Sequence, residues 1–432
     1  MSTSASRNAF PLASGFLSSP RLAAAATTTI IGAGILAELL QRLIGWPGYI
    51  AILAGLILLS GGMLLAVRST IEWQGILPIS LLAFIGWAGL SIVWSQYQWS
   101  SLGGIAYLLA FTVLGVGIAL TRDTIQIVRT FGDVLRVAIG ASLVVEIFAG
   151  VLIDAPLPFL GIQGNLDQLG PIQGIMGSRN QLGLLALIAL ITFGTEFVTR
   201  SVSRGLSIGS LTAAAIAIVL SRSPVVTAVL VVVGAAGLAL WALRRVAPGR
   251  RTTWQLAILA GAIGLALVAW LARGVVTTLF AANSELGYRL ALWNKVWDLI
   301  AQYPLQGWGW VGYWRPEVQP FPVFAVPGER EPTSAVNAYL DVWFQLGLVG
   351  IFVFIVLVLL TFTRSWLLAG RERSVVYMWP ALVLVALITV SLTESSMLVE
   401  YGWLTFVICC VKAAQKLSWR RAFAVPIPQD DD

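Results

Sequence analysis

Residues 345–363 read QLGLVGIFVFIVLVLLTFT, without one charged side chain. A helix rises about 1.5 Å per residue, so a hydrocarbon core about 30 Å thick takes about 20 residues to cross. The stretch has that length. Its apolar residues also run on without the alternation that marks a membrane barrel strand. The pattern recurs at roughly 23–42, 47–67, 75–95, 101–120, 134–153, 180–199, 206–221, 224–243, 253–272, 376–394 and 397–413. The reading is an all-α polytopic membrane protein of about twelve transmembrane helices. Its closest cuts fall at 221–224 and 394–397. Composition agrees: 58% of the 432 residues are hydrophobic, 11% are charged and the mean hydropathy is +0.86. Soluble chains carry about 25% charged residues.

Lys and Arg are retained in cytoplasmic loops, so their distribution sets orientation. Twelve spans place both termini on one side. With that side in the cytoplasm, only Arg42, Arg179, Arg222, Arg273, Arg289, Lys295, Arg315 and Arg330 fall outside, leaving 19 of the 27 basic residues inside. The expectation is a multi-pass protein of the plasma (inner) membrane with both termini cytoplasmic. Residues 1–22 and 414–432 are its tails, and 23–413 form one transmembrane domain. The net charge of +7 then reflects topology and membrane-lipid contact rather than a nucleic-acid partner. No cleavable signal peptide is expected, because the first apolar run is long enough to span.

Cys409 and Cys410 are neighbours within the last apolar run and imply neither a disulfide framework nor a metal site. The chain has no His, which excludes His-dependent zinc sites and Ser-His-Asp triads. There is no P-loop and no dinucleotide fingerprint. No cofactor or metal is expected.

Two outward segments exceed a short connector: about 154–179 and about 273–344. Long loops are either functional or disordered. The second holds Tyr288, Trp293, Trp297, Trp308, Trp310, Tyr313 and Trp314, too aromatic a set for disorder. Residues 287–302 read as an amphipathic helix with Arg289, Trp293 and Trp297 on one face. It is either an interfacial anchor or a platform over an outward-facing site.

Arg222 stands in Ser221-Arg222-Ser223-Pro224 between two apolar runs. An outer arginine at membrane depth is costly and reads as functional, against the alternative of a side chain snorkelling to headgroups. Guanidinium forks suit phosphate oxygens, so Arg222 and Arg289 suit a lipid diphosphate. Glu394 either pairs with one of these arginines or faces solvent. Glu196 is expected to reach the cytoplasmic interface. Glu38 and Glu146 are buried partners or proton sites, which keeps a lipid or solute transporter open as an alternative.

Several segments, in order over about residues 85–400, resemble the O-antigen ligase/polymerase superfamily. Leu90-Ser91-Ile92-Val93-Trp94-Ser95 with Ser100-Ser101-Leu102 resembles its early Trp-Ser segment. Gly174 through Gly177, Asn180 and Leu182-Gly183 resembles its Gly-x-x-Gly-x-x-Asn-x-Leu-Gly segment, and Leu220-Ser221-Arg222-Ser223 its Ser-Arg segment. Gly287-Tyr288-Arg289 through Trp293, then Pro304-Leu305-Gln306-Gly307-Trp308-Gly309, resembles the Gly-x-Arg…Trp…Pro-Leu-x-Gly-x-Gly stretch. Asn337-Ala338-Tyr339-Leu340 with Gly347-Leu348-Val349-Gly350 resembles the His-Asn-x-x-Leu…Gly-Leu-x-Gly block.

The resemblance implies a metal-independent glycosyltransferase. It would move a glycan from a polyprenyl-diphosphate carrier, undecaprenyl diphosphate in the family, to an acceptor hydroxyl on a glycan, lipid or protein outside the membrane. Cell-surface polysaccharide biosynthesis is the setting. Arg222 and Arg289 would hold the diphosphate. The expected substrate contacts are Arg179, Asn180, Tyr288, Trp293, Trp308, Arg315 and Asn337.

The family's histidine, its candidate general base, falls at Val336. Valine accepts no proton, and general-base help contributes typically about 10²–10⁴-fold. Three accounts follow. Val336 is an inactivating change; a carboxylate such as Glu394, Glu331 or Glu285 substitutes; or the chain binds lipid-linked glycan without transferring it.

Overall fold

The computed structural model describes residues 15, 17–68, 78–164, 166, 170–271, 284–325 and 331–416. In chain order the helices are α1 (Pro20–Ile35), α2 (Ala37–Ala66), α3 (Ile79–Leu90), α4 (Gln98–Thr121), α5 (Thr124–Ile147), α6 (Arg179–Thr199), α7 (Arg204–Ser221), α8 (Pro224–Arg245), α9 (Arg251–Leu271), α10 (Ser284–Ile300), α11 (Ala338–Arg371), α12 (Met378–Val390) and α13 (Glu400–Lys416). Among the described residues the fold is all-helical, with one isolated bridge between Leu157 and Ile162.

Seven of these helical segments are long and apolar enough to cross a membrane: α2, α4, α5 with its continuation to Ile153, α6, α7, α8 and α11. The chain is therefore an integral membrane protein. The figure of seven differs from twelve for local reasons. Residues 69–77, 272–283 and 417–432 lie outside the described residues. The first apolar run is cut at Leu36, which caps α1 through its N–H to Gly32 O. Gly45 interrupts α2 with φ 70°. Pro47 follows, and its ring excludes a regular turn before it. The run predicted to open at 345 belongs to a helix that starts at Ala338, because Asn337 caps it.

The chain divides into two compact units. One comprises Met1–Ile76, Ala110–Ser223 and Val407–Asp432; the other comprises Leu77–Leu109 and Pro224–Phe406.

In the first unit, the Glu146 carboxylate receives the backbone N–H groups of Gln173 at 2.9 Å and Gly174 at 2.7 Å. This pins the loop ahead of α6 onto α5. Gly174 and Gly177 both have positive φ, and a Cβ there would meet Ser142 at 2.4 Å and the Glu38 carboxylate at 2.1 Å. The two glycines of the Gly-x-x-Gly segment are thus required by left-handed backbone and close approach. Glu38 also pairs with Arg42 at 2.6 Å. Glu196 does not reach an interface: it is buried between helices, ion-paired to Arg136 and set against Gly132. The partner that holds it is 60 residues away in sequence, on α5.

In the second unit, α11 is broken at Gly347, where φ is 68°. In apolar surroundings the backbone groups freed by such a break need partners. The 304–309 loop supplies them. Trp308 N–H donates to Phe344 O, Gly309 N–H to Gln345 O, and Leu348 N–H to Pro304 O, at 3.1, 2.8 and 2.9 Å. A Cβ on Gly307 would strike Gly347 N at 2.5 Å, and one on Gly347 would strike Leu305 O at 2.2 Å. The two glycine motifs face each other backbone to backbone. The Trp-Ser segment serves the same joint: Trp94 Nε1 donates to Gln306 O, Trp87 Nε1 to Leu346 O, and Tyr97 Oη to Gly309 O. Trp308, Trp314, Phe321, Phe324 and Phe344 form an aromatic core under this loop, with Trp314 stacked on Phe324 at 4.4 Å between ring centroids.

Candidate functional site

α10 is the amphipathic helix expected over 287–302, and it carries Arg289 and Trp293 inward. Arg289 is 6% exposed. Its Nη2 donates to Glu394 Oε1 at 2.9 Å and its Nη1 donates to Thr393 O. Trp293 Nε1 donates to Ala335 O at 2.8 Å, so the same helix face holds the turn that contains Val336. Tyr288 and Trp293 pack half-buried against the aromatic core. Trp297, one turn beyond Trp293, is exposed and meets Trp343 edge-on.

Val336 has φ 50°. A β-branched residue in the left-handed region is a genuine outlier, whereas Asn, Asp and His are enriched there. The strain costs on the order of 1–3 kcal/mol and must be held by the surroundings. Asn337 holds one side of it. Its Oδ1 accepts from Tyr339 N–H and Leu340 N–H, both at 3.0 Å, and its Nδ2 donates to Leu392 O at 3.0 Å. Asn337 is thus the N-cap of α11.

Asp341 holds the other side, and sequence reasoning missed it. Its carboxylate is fully buried and accepts from Trp314 Nε1 (2.8 Å), Ala335 N–H (3.0 Å), Ser395 Oγ (2.5 Å) and Gln345 Nε2 (3.2 Å). Ser395 Oγ in turn receives Asn337 N–H at 3.2 Å. One network therefore joins α10, the 334–337 turn and the 391–395 segment. It brings Arg289, Glu394, Val336 and Asn337 together. A carboxylate four residues past a cap, on the face of an otherwise apolar helix, is the signal that points to Asp341.

Other expected contacts lie elsewhere. Trp308 is buried in the core, with Nε1 donating to Leu299 O at 3.0 Å; it supports the loop rather than presenting a ring. Arg315 is exposed, and its Nη2 lies 3.6 Å from a Cβ built on Gly103. Glu331 is exposed. The Glu285 side chain lies outside the described residues, as do Arg273 and Arg330.

The first unit builds around Arg222. This residue caps α7 with φ 45° and ψ 34°, and its side chain is exposed. Pro224 then starts α8, as its fixed φ favours. Ser223 is buried and its Oγ donates to Asn180 Oδ1 at 2.7 Å. Ile172 N–H donates to Leu220 O at 3.1 Å. Arg179 and Asn180, the first residues of α6, are therefore tied to the Arg222 turn. Glu146 and Glu38 are already engaged by backbone N–H groups and by Arg42, which weighs against a proton-carrying role.

No curated protein matches the chain. Residues 209–355 match the family model described as O-antigen ligase. That stretch contains Arg222, Arg289, Val336, Asn337 and Asp341, and it supports membership of the chain in the O-antigen ligase/polymerase superfamily.

Proposed function

We propose that the chain is an extracytoplasmic glycan ligase or polymerase of the plasma membrane, with both termini cytoplasmic. It transfers an oligo- or polysaccharide from a polyprenyl-diphosphate carrier to an acceptor hydroxyl. The observation that carries this reading is the family match across 209–355, in which both arginines and the buried 334–341 network fall. Arg222, exposed at a strained helix end, contacts the diphosphate directly. Arg289 stands at the second arginine position of the resemblance, in the frame that also holds Val336. Guanidinium groups positioned at charge that develops on a leaving group are worth about 10²–10³-fold each. Tyr288 and Trp293 offer ring edges to the glycan, and Arg179 and Asn180 support the Arg222 turn.

A second reading is a relative that binds lipid-linked glycan without transferring it, and Val336 favours it. Deleting the gene separates both readings from an unrelated role. Transfer predicts loss of long surface polysaccharide and accumulation of carrier-linked glycan. Unchanged polysaccharide and unchanged carrier-linked glycan would remove the proposal.

A further inference from the structure

Val336 leaves the 334–341 network without a proton acceptor where the resemblance expects one. Among the described residues, three carboxylates adjoin this network or the 391–398 segment packed on it. Asp341 accepts four hydrogen bonds and is sealed from solvent. Glu394 answers Arg289. Glu400 is the third. It is nine-tenths buried, and Tyr107 Oη donates to its Oε1 at 2.9 Å.

The backbone marks the same residue. Within Leu77–Leu109 and Pro224–Phe406, Val336 and Glu400 are the non-glycine residues with positive φ among the described residues, at 50° and 46°. Strained residues of this kind cluster at functional sites, where the surroundings hold them in place. Here both flank one segment, 391–398. Asn337, next to Val336, reaches it through Ser395 Oγ and Leu392 O, and Ala338 N–H donates to Ser391 O at 2.9 Å. Leu398 N–H returns to Ser395 O at 3.0 Å just before Glu400. Gly402 then lets α13 start against Ser396 O, where a Cβ would sit at 1.9 Å. A glutamate in left-handed backbone, fixed by a tyrosine and a glycine, has a defined carboxylate direction.

We propose that Glu400, oriented by Tyr107, is the general base for the acceptor hydroxyl in place of the histidine missing at 336. The inference rests on the transfer reading above. In the step, the acceptor oxygen bonds to the anomeric carbon. The bond from that carbon to the diphosphate oxygen breaks, and its electron pair leaves with the diphosphate. The hydroxyl proton passes to the Glu400 carboxylate, which later returns it to water. No oxidant or reductant is needed.

The test uses the full chain in liposomes, with a polyprenyl-diphosphate-linked oligosaccharide as donor and the same oligosaccharide, carrier-free, as acceptor. Carrier release and donor binding are both read. E400Q is expected to lose about 10²–10⁴-fold in transfer with donor binding and melting temperature retained. Y107F retains part of the activity and shifts its pH profile. V336H restores transfer to E400Q, with an acid limb near the histidine range of about 6.5. Three results overturn the proposal: E400Q transferring at the wild-type rate, E400Q losing donor binding together with transfer, or V336H leaving E400Q inactive. A silent wild type that V336H activates also overturns it, because Glu400 then serves no base role. A wild type and V336H that neither bind nor transfer refute the transfer reading instead.

Discussion

Arg222 and Arg289 take the two arginine positions of one family resemblance, yet their surroundings are opposite. Arg222 is exposed at the end of α7, in left-handed backbone, beside a short turn. Arg289 is buried in the second turn of α10 and bound to Glu394 and to the Thr393 carbonyl. The first is free of folding duty and can be given to a ligand. The second also fastens α10 to the 391–395 segment, and through it to the turn at Val336. A guanidinium that staples these segments together cannot be removed without disturbing the site's frame.

The largest effect should therefore come from Arg289→Ala. It leaves Glu394 without its cation in a partly buried setting, and losing one partner of a buried pair costs on the order of 3–5 kcal/mol; partial exposure of Glu394 places the expectation at the lower end. Thermal unfolding in detergent should show a clear loss, alongside loss of transfer. Arg222→Ala should lose transfer about 10²–10³-fold while unfolding shifts by less than about 0.5 kcal/mol. Equal destabilisation by the two substitutions would break the contrast between them.

Asp341→Asn comes next. It swaps an acceptor-only group for an amide whose NH₂ faces either the donors of Oδ1, Trp314 Nε1 and Gln345 Nε2, or those of Oδ2, Ala335 N–H and Ser395 Oγ. A buried unsatisfied polar group costs about 1–3 kcal/mol. Reduced stability with a disordered 334–337 turn, read by limited proteolysis, is the expected outcome. Intact protection of that turn would remove Asp341 from the frame.

The smallest effect concerns strain. Val336→Asn places a residue at ease in left-handed backbone and should raise stability by about 0.5–1 kcal/mol, net of the partial contact that valine makes with the core. A destabilised variant would mean that the contact outweighs the strain.

Much of this was legible in the sequence. Ser221-Arg222-Ser223-Pro224 read as a tight turn and is one, because proline can open a helix but not continue one. The amphipathic spacing put Arg289, Trp293 and Trp297 on one face; Arg289 and Trp293 turn inward, whereas Trp297 is exposed. The glycine motifs were visible as letters. Their reason, the mutual approach of Gly307 and Gly347, depends on a pairing across about forty residues that periodicity does not encode. The start of α11 was read late because Asp341 interrupts the apolar residues ahead of 345. It is buried and satisfied by partners from other segments. Glu196 was misread for the same reason, since Arg136 lies on another helix. Glu400 had no sequence signal, for left-handed backbone at a glutamate appears only in three dimensions.

The most direct measurement is carrier release by the purified chain in liposomes, with a polyprenyl-diphosphate-linked glycan and an acceptor glycan, compared with Arg222→Ala. The account predicts release of free polyprenyl diphosphate coupled to glycan transfer, and its near loss in a variant that stays folded. Wild-type release that Arg222→Ala leaves unchanged would contradict it.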